Sequence, residues 1–320
     1  MSWKLLTFRA AHLKGMAEVW NEAFAGGPNF VHLTEADFRR RVTEQPSFDP
    51  ANLLVALRDG RVAGFTHFGF RSNLWHHLRD RRLDPTEGQV YVLVAPPGEC
   101  QTMERLLDTA IERLAQGGAR RVLLGPSWVF GAQPFYNGIA GAYEIPGLDP
   151  SREELVRLAA NQGFTEIARY GTPELDLSDA AQLSDLRLQM ATLEERAREW
   201  GLRRRIASLG SVFLAERHAV LLSQGSWDVA MAAFGLWYEY QREYGRRLFG
   251  ITSVQVAEEW RGKGLGKLVM LAAMETAAAA GAEALHLHVH EANRTAWRLY
   301  HEALGFQPKC AWVTLARRLG

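Results

Sequence analysis

Residues 260–270 place bare backbone and positive charge at the start of an apolar segment, a combination that suits an anion. Three glycines and three cations surround Leu265 here: Arg261, Gly262, Lys263, Gly264, Gly266 and Lys267. Main-chain N–H groups without neighbouring Cβ atoms approach an anion closely, and the unpaired donors of a helix start point towards it. We therefore predict a phosphate-binding loop. The alternative is a glycine turn at a solvated helix start.

Two common phosphate motifs do not fit this stretch. The nucleotide P-loop requires Ser or Thr after Gly-Lys, but here Leu268 follows Lys267. The dinucleotide fingerprint requires a third glycine where Lys267 stands. What remains is an Arg-x-x-Gly-x-Gly pattern between an apolar strand predicted at 251–257 and an alanine-rich helix.

This pattern and the sequence after it resemble the GCN5-related N-acetyltransferase (GNAT) superfamily. The matching segments read VQVAEEWRGKGLGKLV at 254–269 and VHEANRTAWRLYHEALGF at 289–306. The resemblance implies that residues 261–267 hold the pyrophosphate of acetyl-coenzyme A (acetyl-CoA). It also implies that the co-substrate's pantetheine binds the backbone of the preceding strand, at Val254 and Val256.

The second matching segment supplies Asn293 and Tyr300, which correspond to family residues at the cofactor site. Acetyl transfer from a thioester to an amine needs a proton for the departing thiolate, and Tyr300 is the candidate acid. A phenol with a pKa of ~10 stays protonated at neutral pH. The alternatives are structural: Tyr300 as a half-buried helix residue, and Asn293 as the cap of that helix.

The amine must also lose a proton, and the residue that accepts it is less evident. Many family members carry a Glu early on the strand before the phosphate loop, but Gly250 stands there. Another branch of the family carries a Glu on the following strand in the pattern L-E-V, where this chain has Leu287-His288-Val289. The resemblance therefore points to His288 as the base, and a histidine with a pKa of about 6.5 accepts a proton at neutral pH. Glu239, predicted on the preceding meander, is the second candidate. No ligand pattern favours a metal at the HLHVH segment, so we expect none.

Three pairs of segments recur in the same order and share their apolar pattern and glycines: 53–70 with 219–237, 91–125 with 254–288, and 155–164 with 297–306. A duplicated domain explains them. We predict an α/β (α+β) fold of two tandem acyl-CoA N-acyltransferase-like domains, each a central mixed sheet flanked by helices. The first covers residues 1–172 and the second, which carries the acetyl-CoA site, covers 173–320.

The first copy lacks the residues that would bind the cofactor. Its loop at 96–104 reads PPGECQTME, with Glu99 near the position of Arg261, and Leu158 stands where the second copy has Tyr300. Carboxylates repel a pyrophosphate. The first domain is therefore predicted to keep the fold and to bind no acetyl-CoA.

Composition limits the remaining possibilities. Lys and Arg number 37 against 36 Asp and Glu, without the basic excess of a nucleic-acid binder. Two cysteines, no signal-peptide pattern and no long apolar run favour a cytoplasmic protein that does not bind membranes. The sequence leaves monomer and homodimer open, since a duplicated chain can pair its own halves. The predicted function is acetyl transfer to a small-molecule or peptide amine. The alternative is a non-catalytic acyl-CoA-binding sensor or scaffold.

Overall fold

The computed structural model describes residues 2–70, 86–125, 134–144, 147–210 and 214–320, with the backbone alone at 180–182. The chain divides into two compact units. Unit 1 consists of Met1–Arg169 and Ala311–Gly320, and unit 2 is Tyr170–Cys310. The predicted domains were 1–172 and 173–320. They assign the last ten residues to the second domain, whereas these residues belong to unit 1.

The strands, in chain order, are β1 (Trp3–Thr7), β2 (Leu53–Arg58), β3 (Arg61–Phe70), β4 (Glu87–Val94), β5 (Arg121–Leu124), β6 (Thr165–Asp176), β7 (Arg203–Ser208), β8 (Ala215–Gln224), β9 (Trp227–Leu236), β10 (Leu248–Val256), β11 (Ala284–Leu287), β12 (Val289–His290) and β13 (Gln307–Arg318). The helices are α1 (Leu13–Phe24), α2 (Glu35–Phe38), α3 (Cys100–Gln116), α4 (Glu153–Asn161), α5 (Ala180–Glu199), α6 (Tyr238–Tyr244), α7 (Leu265–Ala279) and α8 (Arg294–Arg298). A π-helical turn, Leu299–Ala303, continues α8.

Unit 1 is built on a mixed sheet with the order β1-β2-β3-β4-β5-β13. Its pairs are antiparallel except for β4 and β5, which the helix α3 connects in parallel. The β2–β3 hairpin turns at Asp59 and Gly60, both with positive φ (48° and 81°), as a tight two-residue hairpin requires. Apolar residues spaced three and four apart on α3, such as Met103, Leu106 and Leu107, bury one stripe against the sheet.

Unit 2 has the strand order β6-β11-β10-β9-β8-β7, with β12 paired to β6. The strands β10 and β11 are parallel, and the other pairs are antiparallel. The connecting helix α7 is rich in alanine and leucine and buried on most sides, including Leu268, Val269 and Met270. A helix that is apolar all round belongs in a core, and α7 packs against β8, β9 and β10.

These observations confirm the predicted fold class: each unit is a central mixed sheet flanked by helices. The strand–helix–strand order around 91–125 recurs at 254–288, as the repeat predicted. Within the described ranges, no helix combines the length and apolar character needed to cross a membrane.

Candidate active site

The loop between β10 and α7 has the backbone conformation that its glycines allow. Gly262 and Gly264 have φ values of +75° and +83°, which place both in the left-handed region where other residues are strained. Gly264 is the N-cap of α7 and its helix start has no side-chain cap. The first hydrogen bond at this end joins the Leu268 N–H to the Gly264 carbonyl at 3.0 Å.

The N–H groups of Leu265, Gly266 and Lys267 precede that bond, so the helix itself offers them no acceptor. Together with the helix dipole they form a donor site for an anion. The side chain of Leu265 is buried in the core, so this residue offers only its main chain. The loop and the helix start therefore lie where the sequence predicted them, and the phosphate-binding role stays a prediction.

The cations of the loop lie around these donors. Arg261 and Lys263 are exposed and Lys267 is half-buried. Arg261 donates from Nε to the Val256 carbonyl at 3.3 Å, while the Lys263 ammonium lies 4.2 Å from the centre of the Trp260 ring. Full positive charges thus accompany the main-chain donors.

Gly266 marks where three elements of the site converge. A Cβ atom added there would lie 3.6 Å from Cγ2 of Val256, on β10, and 3.7 Å from Cδ2 of Leu299, beside Tyr300. Both are ordinary van der Waals distances, so the fold does not require a glycine at this position. The strand end, the helix start and the turn that carries Tyr300 are therefore neighbours.

The strand β10 separates from β11 as it approaches the loop. Their parallel pairing covers Leu248–Ile251 and Ala284–Leu287, whereas β10 continues to Val256. A register shift in the β9 pairing between Ile251 and Ser253 marks a bulge where the separation begins. One edge of β10 is therefore open beyond Ile251 in the pairing of the described strands.

The register shows which main-chain groups face that open edge. The N–H of Ala257 donates to the Val229 carbonyl at 2.8 Å, and hydrogen-bonded pairs alternate along an antiparallel ladder. Gln255 and Ser253 therefore bond to β9, whereas Val254 and Val256 direct their N–H and C=O groups away from it. These are the two residues that the resemblance gave to the pantetheine.

Tyr300 lies in the π-helical turn after α8 and is 7% exposed. Burial raises the pKa of its hydroxyl to about 12. The phenol is therefore fully protonated at neutral pH, as a general acid must be.

Asn293 is the N-cap of α8, since its side chain accepts the Ala296 N–H at 3.2 Å. Its capping role is thus present, and its cofactor role stays a prediction.

His288 lies between β11 and β12, at the open end of the parallel pair. Its Nδ1 is 2.7 Å from the hydroxyl oxygen of Thr172 on β6, a bond that orients the imidazole.

The second candidate base, Glu239, is 1% exposed and lies in the first turn of the short helix α6. The expectation that it sits on a meander strand was wrong, because the chain turns into α6 directly after β9.

The sequence did not predict a cluster of three side chains around Glu174 in unit 2. His286 is buried and its Nε2 forms a short hydrogen bond with Oε2 of Glu174, which holds the pKa of that carboxyl below its ordinary value. Lys309 lies 3.7 Å from the same oxygen. Neither partner lies near His286 in sequence. Searched across the described ranges, no group of three His, Cys, Asp or Glu side chains is placed to hold a metal ion.

The corresponding loop of unit 1 has carboxylates in place of an anion site. Glu99, which the sequence aligned near Arg261, is instead the N-cap of α3, the place that Gly264 has on α7. It forms an ion pair with Arg58 at 2.6 Å. The Gly98 N–H donates to Oε2 of Glu154 at 3.0 Å, so a protein carboxylate already engages this donor.

Comparison with known proteins bears on the family resemblance of the chain. Residues 213–306 match the acetyltransferase (GNAT) family model. A segment covering 34% of the chain is 32% identical, over 114 residues, to mycothiol acetyltransferase of Brachybacterium faecium. The match spans 32% of that relative's length.

Solved structures share the fold along the whole chain. A tandem GNAT protein from the clavulanic acid biosynthesis pathway, solved without AcCoA, superposes with a TM-score of 0.64 at 15% identity, covering 100% of this chain and 99% of the other. A GCN5-related N-acetyltransferase from Sphaerobacter thermophilus gives a TM-score of 0.58 at 15% identity, with 99% and 96% covered. Residues 213–306 thus match the GNAT acetyltransferase family in sequence, and the chain as a whole shares the fold of tandem GNAT proteins.

Proposed function

We propose that unit 2 transfers an acetyl group from acetyl-CoA to the amine of a small molecule or peptide. The observation that carries the proposal is the loop at 261–267, where two left-handed glycines and an uncapped helix start aim N–H donors beside three cations. This arrangement suits a diphosphate, which acetyl-CoA contains. The open edge at Val254 and Val256 leads from that loop along β10.

The residues of unit 2 divide the chemistry among them. Acetyl-CoA supplies a thioester when bound. His288, oriented by Thr172, takes a proton from the amine, whose nitrogen bonds to the acetyl carbon as the carbon–sulfur bond breaks. Tyr300 donates its proton to the departing sulfur. Burial raises the pKa of a thiol as well as that of a phenol, so a buried thiolate remains basic enough for this transfer.

A main-chain N–H at the open edge of β10 is suited to hold the developing oxyanion. Unit 1 takes no part in this proposal, because Glu99 and Glu154 stand where its cofactor would bind. The acceptor amine is left to experiment. We place the reaction in the cytoplasm and without a metal, in a monomer or homodimer that binds neither nucleic acid nor membrane.

The test is release of free thiol from acetyl-CoA across a panel of amines, with wild type and Tyr300→Phe compared. The variant should bind acetyl-CoA as wild type does and turn over roughly 10²–10⁴ times more slowly, the usual loss for a general acid. Joint loss of binding and rate would make Tyr300 structural. Binding of acetyl-CoA by wild type without turnover for any amine would support the sensor or scaffold instead.

A further inference from the structure

Unit 1 contains a cavity of about 350 Å³ beside the end of β4. The loop after β4, the end of α1 and the starts of α3 and α4 form its walls. Most of the lining is small or apolar, including Phe24, Pro96, Met103 and Leu155. Small-molecule sites commonly measure ~300–1,000 Å³ and combine apolar walls with a few placed polar groups.

The placed polar group here is the guanidinium of Arg152, at the start of α4. Its Nη2 donates to the Leu93 carbonyl at 3.3 Å, and its central carbon lies 4.7 Å from the centre of the Phe24 ring. A guanidinium carries five N–H donors, so these contacts occupy a minority of them. Burial lowers the pKa of Arg152 to about 10.

Three acidic residues line the cavity, Asp149, Glu153 and Glu154, and two of them accept main-chain hydrogen bonds. Oε2 of Glu154 accepts the Gly98 N–H at 3.0 Å, and Oδ1 of Asp149 accepts the Ser151 N–H at 2.9 Å. None of the ion pairs among the described residues includes Arg152. Arg152 is the one cation among the residues that line the cavity, so its guanidinium is the group that an incoming anion would bind.

We propose that this cavity binds a small monocarboxylate with an apolar body. The carboxylate would accept hydrogen bonds from Arg152, and the body would pack against Phe24 and Leu155. A planar fork of N–H donors matches a carboxylate in geometry as well as charge. This site is separate from the proposed transferase reaction, which uses residues of unit 2 alone.

Acetyl-CoA fits the cavity poorly because Glu154 and Glu99 stand at the loop that would have to hold its diphosphate. A ligand with one negative charge and no diphosphate meets less of that repulsion, since the Coulomb energy scales with the charge. The lining residues thus favour a short acid over a nucleotide-bearing thioester.

The test is calorimetric titration of the full chain with butyrate, benzoate and phenylacetate, and with phenylacetamide as the neutral counterpart of the last. We expect at least one acid to bind saturably, and phenylacetate to bind at least tenfold more tightly than its amide. Arg152→Met should weaken acid binding at least tenfold. Arg157→Met, an exposed arginine on the same helix, should leave it unchanged.

Two further readouts separate this site from a structural role and from the transferase. The melting temperature of Arg152→Met without ligand should equal or exceed that of wild type, because a poorly solvated buried charge has been removed. Both variants should bind acetyl-CoA as wild type does. The proposal is overturned if none of the three acids binds, if acid and amide bind wild type equally, or if Arg152→Met retains full acid affinity.

Discussion

The Nδ1 atom of His288 lies 2.7 Å from the hydroxyl oxygen of Thr172, a residue 116 positions earlier in the chain. The sheet register places them opposite each other, since Val289 pairs with Gly171 on one side and His286 with Glu174 on the other. This bond fixes the ring of the proposed base through one nitrogen. In the tautomer that carries its proton on Nδ1, the ring donates this bond to Thr172, and Nε2 is the nitrogen that the proposal assigns to the proton of the amine.

Replacing His288 by Gln should lower kcat roughly 10²-fold or more, because the amine loses its proton acceptor. Thr172→Val should cause a smaller loss, through a poorly oriented ring. His290→Gln is the matched control, since the Nδ1 of His290 accepts the nearby Ala292 N–H. Steady-state kinetics that compare the kcat of each variant with that of wild type provide the measurement. If His288→Gln kept full turnover while Glu239→Gln lost most of it, the base would be Glu239 and not His288.

The two ends of α7 provide a matched pair of glycines for testing the anion site. Gly264 and Gly281 have nearly equal φ values, +83° and +81°. Substituting Ala at either strains the backbone by about 1–2 kcal/mol. At Gly264 the new Cβ would also lie 3.1 Å from Cδ2 of Leu193.

We expect both alanine variants to lose similar stability in thermal unfolding. Only Gly264→Ala should weaken acetyl-CoA binding, about tenfold or more, because the helix start that holds the diphosphate is displaced. Calorimetric titration measures the affinities. Equal affinities in the two variants would remove the main support for the proposed function.

Acetyl-CoA should bind with a stoichiometry of one per chain. In unit 1 the Gly98 N–H is bonded to Glu154, and Glu99 is paired with Arg58, so the equivalent loop presents carboxylates to a diphosphate. Calorimetry on wild type and on Gly264→Ala checks both the number and the place of the site. Two sites of comparable affinity would show that unit 1 retains the cofactor.

The pair formed by Glu174 and His286 should make stability depend on pH in acid. The hydrogen bond from His286 lowers the folded-state pKa of Glu174 below 4.5, so its contribution is present above that pH and lost as pH falls through the folded-state value. Glu174→Gln should therefore lower the melting temperature at pH 7, and the difference should shrink in more acidic solution.

Glu166→Gln is the control for this prediction, because Glu166 forms an exposed pair with Arg169 on the same strand and such pairs contribute little. Differential scanning calorimetry between pH 3 and pH 7 gives the comparison. A difference between Glu174→Gln and wild type that is independent of pH would show that the carboxylate charge is not the stabilising feature.

Local patterns in the sequence were sufficient wherever the chemistry is local. The turn at 261–267 could be predicted because Gly262, Gly264 and the flanking cations lie within a few residues of one another, and positive φ is a property of a single residue. The mixed sheets could be predicted because strand and helix periodicities recur in each copy. Asn293 could be predicted as a helix cap because the N–H that its side chain accepts belongs to Ala296, only three residues further along the chain.

Local sequence patterns did not predict the features that depend on strand pairing. Glu174 and Thr172 gave no signal as partners of His286 and His288, because each bond joins residues more than a hundred positions apart. The cavity lined by Arg152 brings together the end of α1, the loop after β4 and the start of α4.

The sequence by itself thus determined the superfamily pattern, the duplication and the glycine turn before α7, all of which depend on the order and type of nearby residues. Only the tertiary structure decided the direction of the Val254 and Val256 main chains, the partner of His288 and the closure of the unit 1 loop by Glu154. Sheet register and packing fix these features, because they determine which distant residues become neighbours.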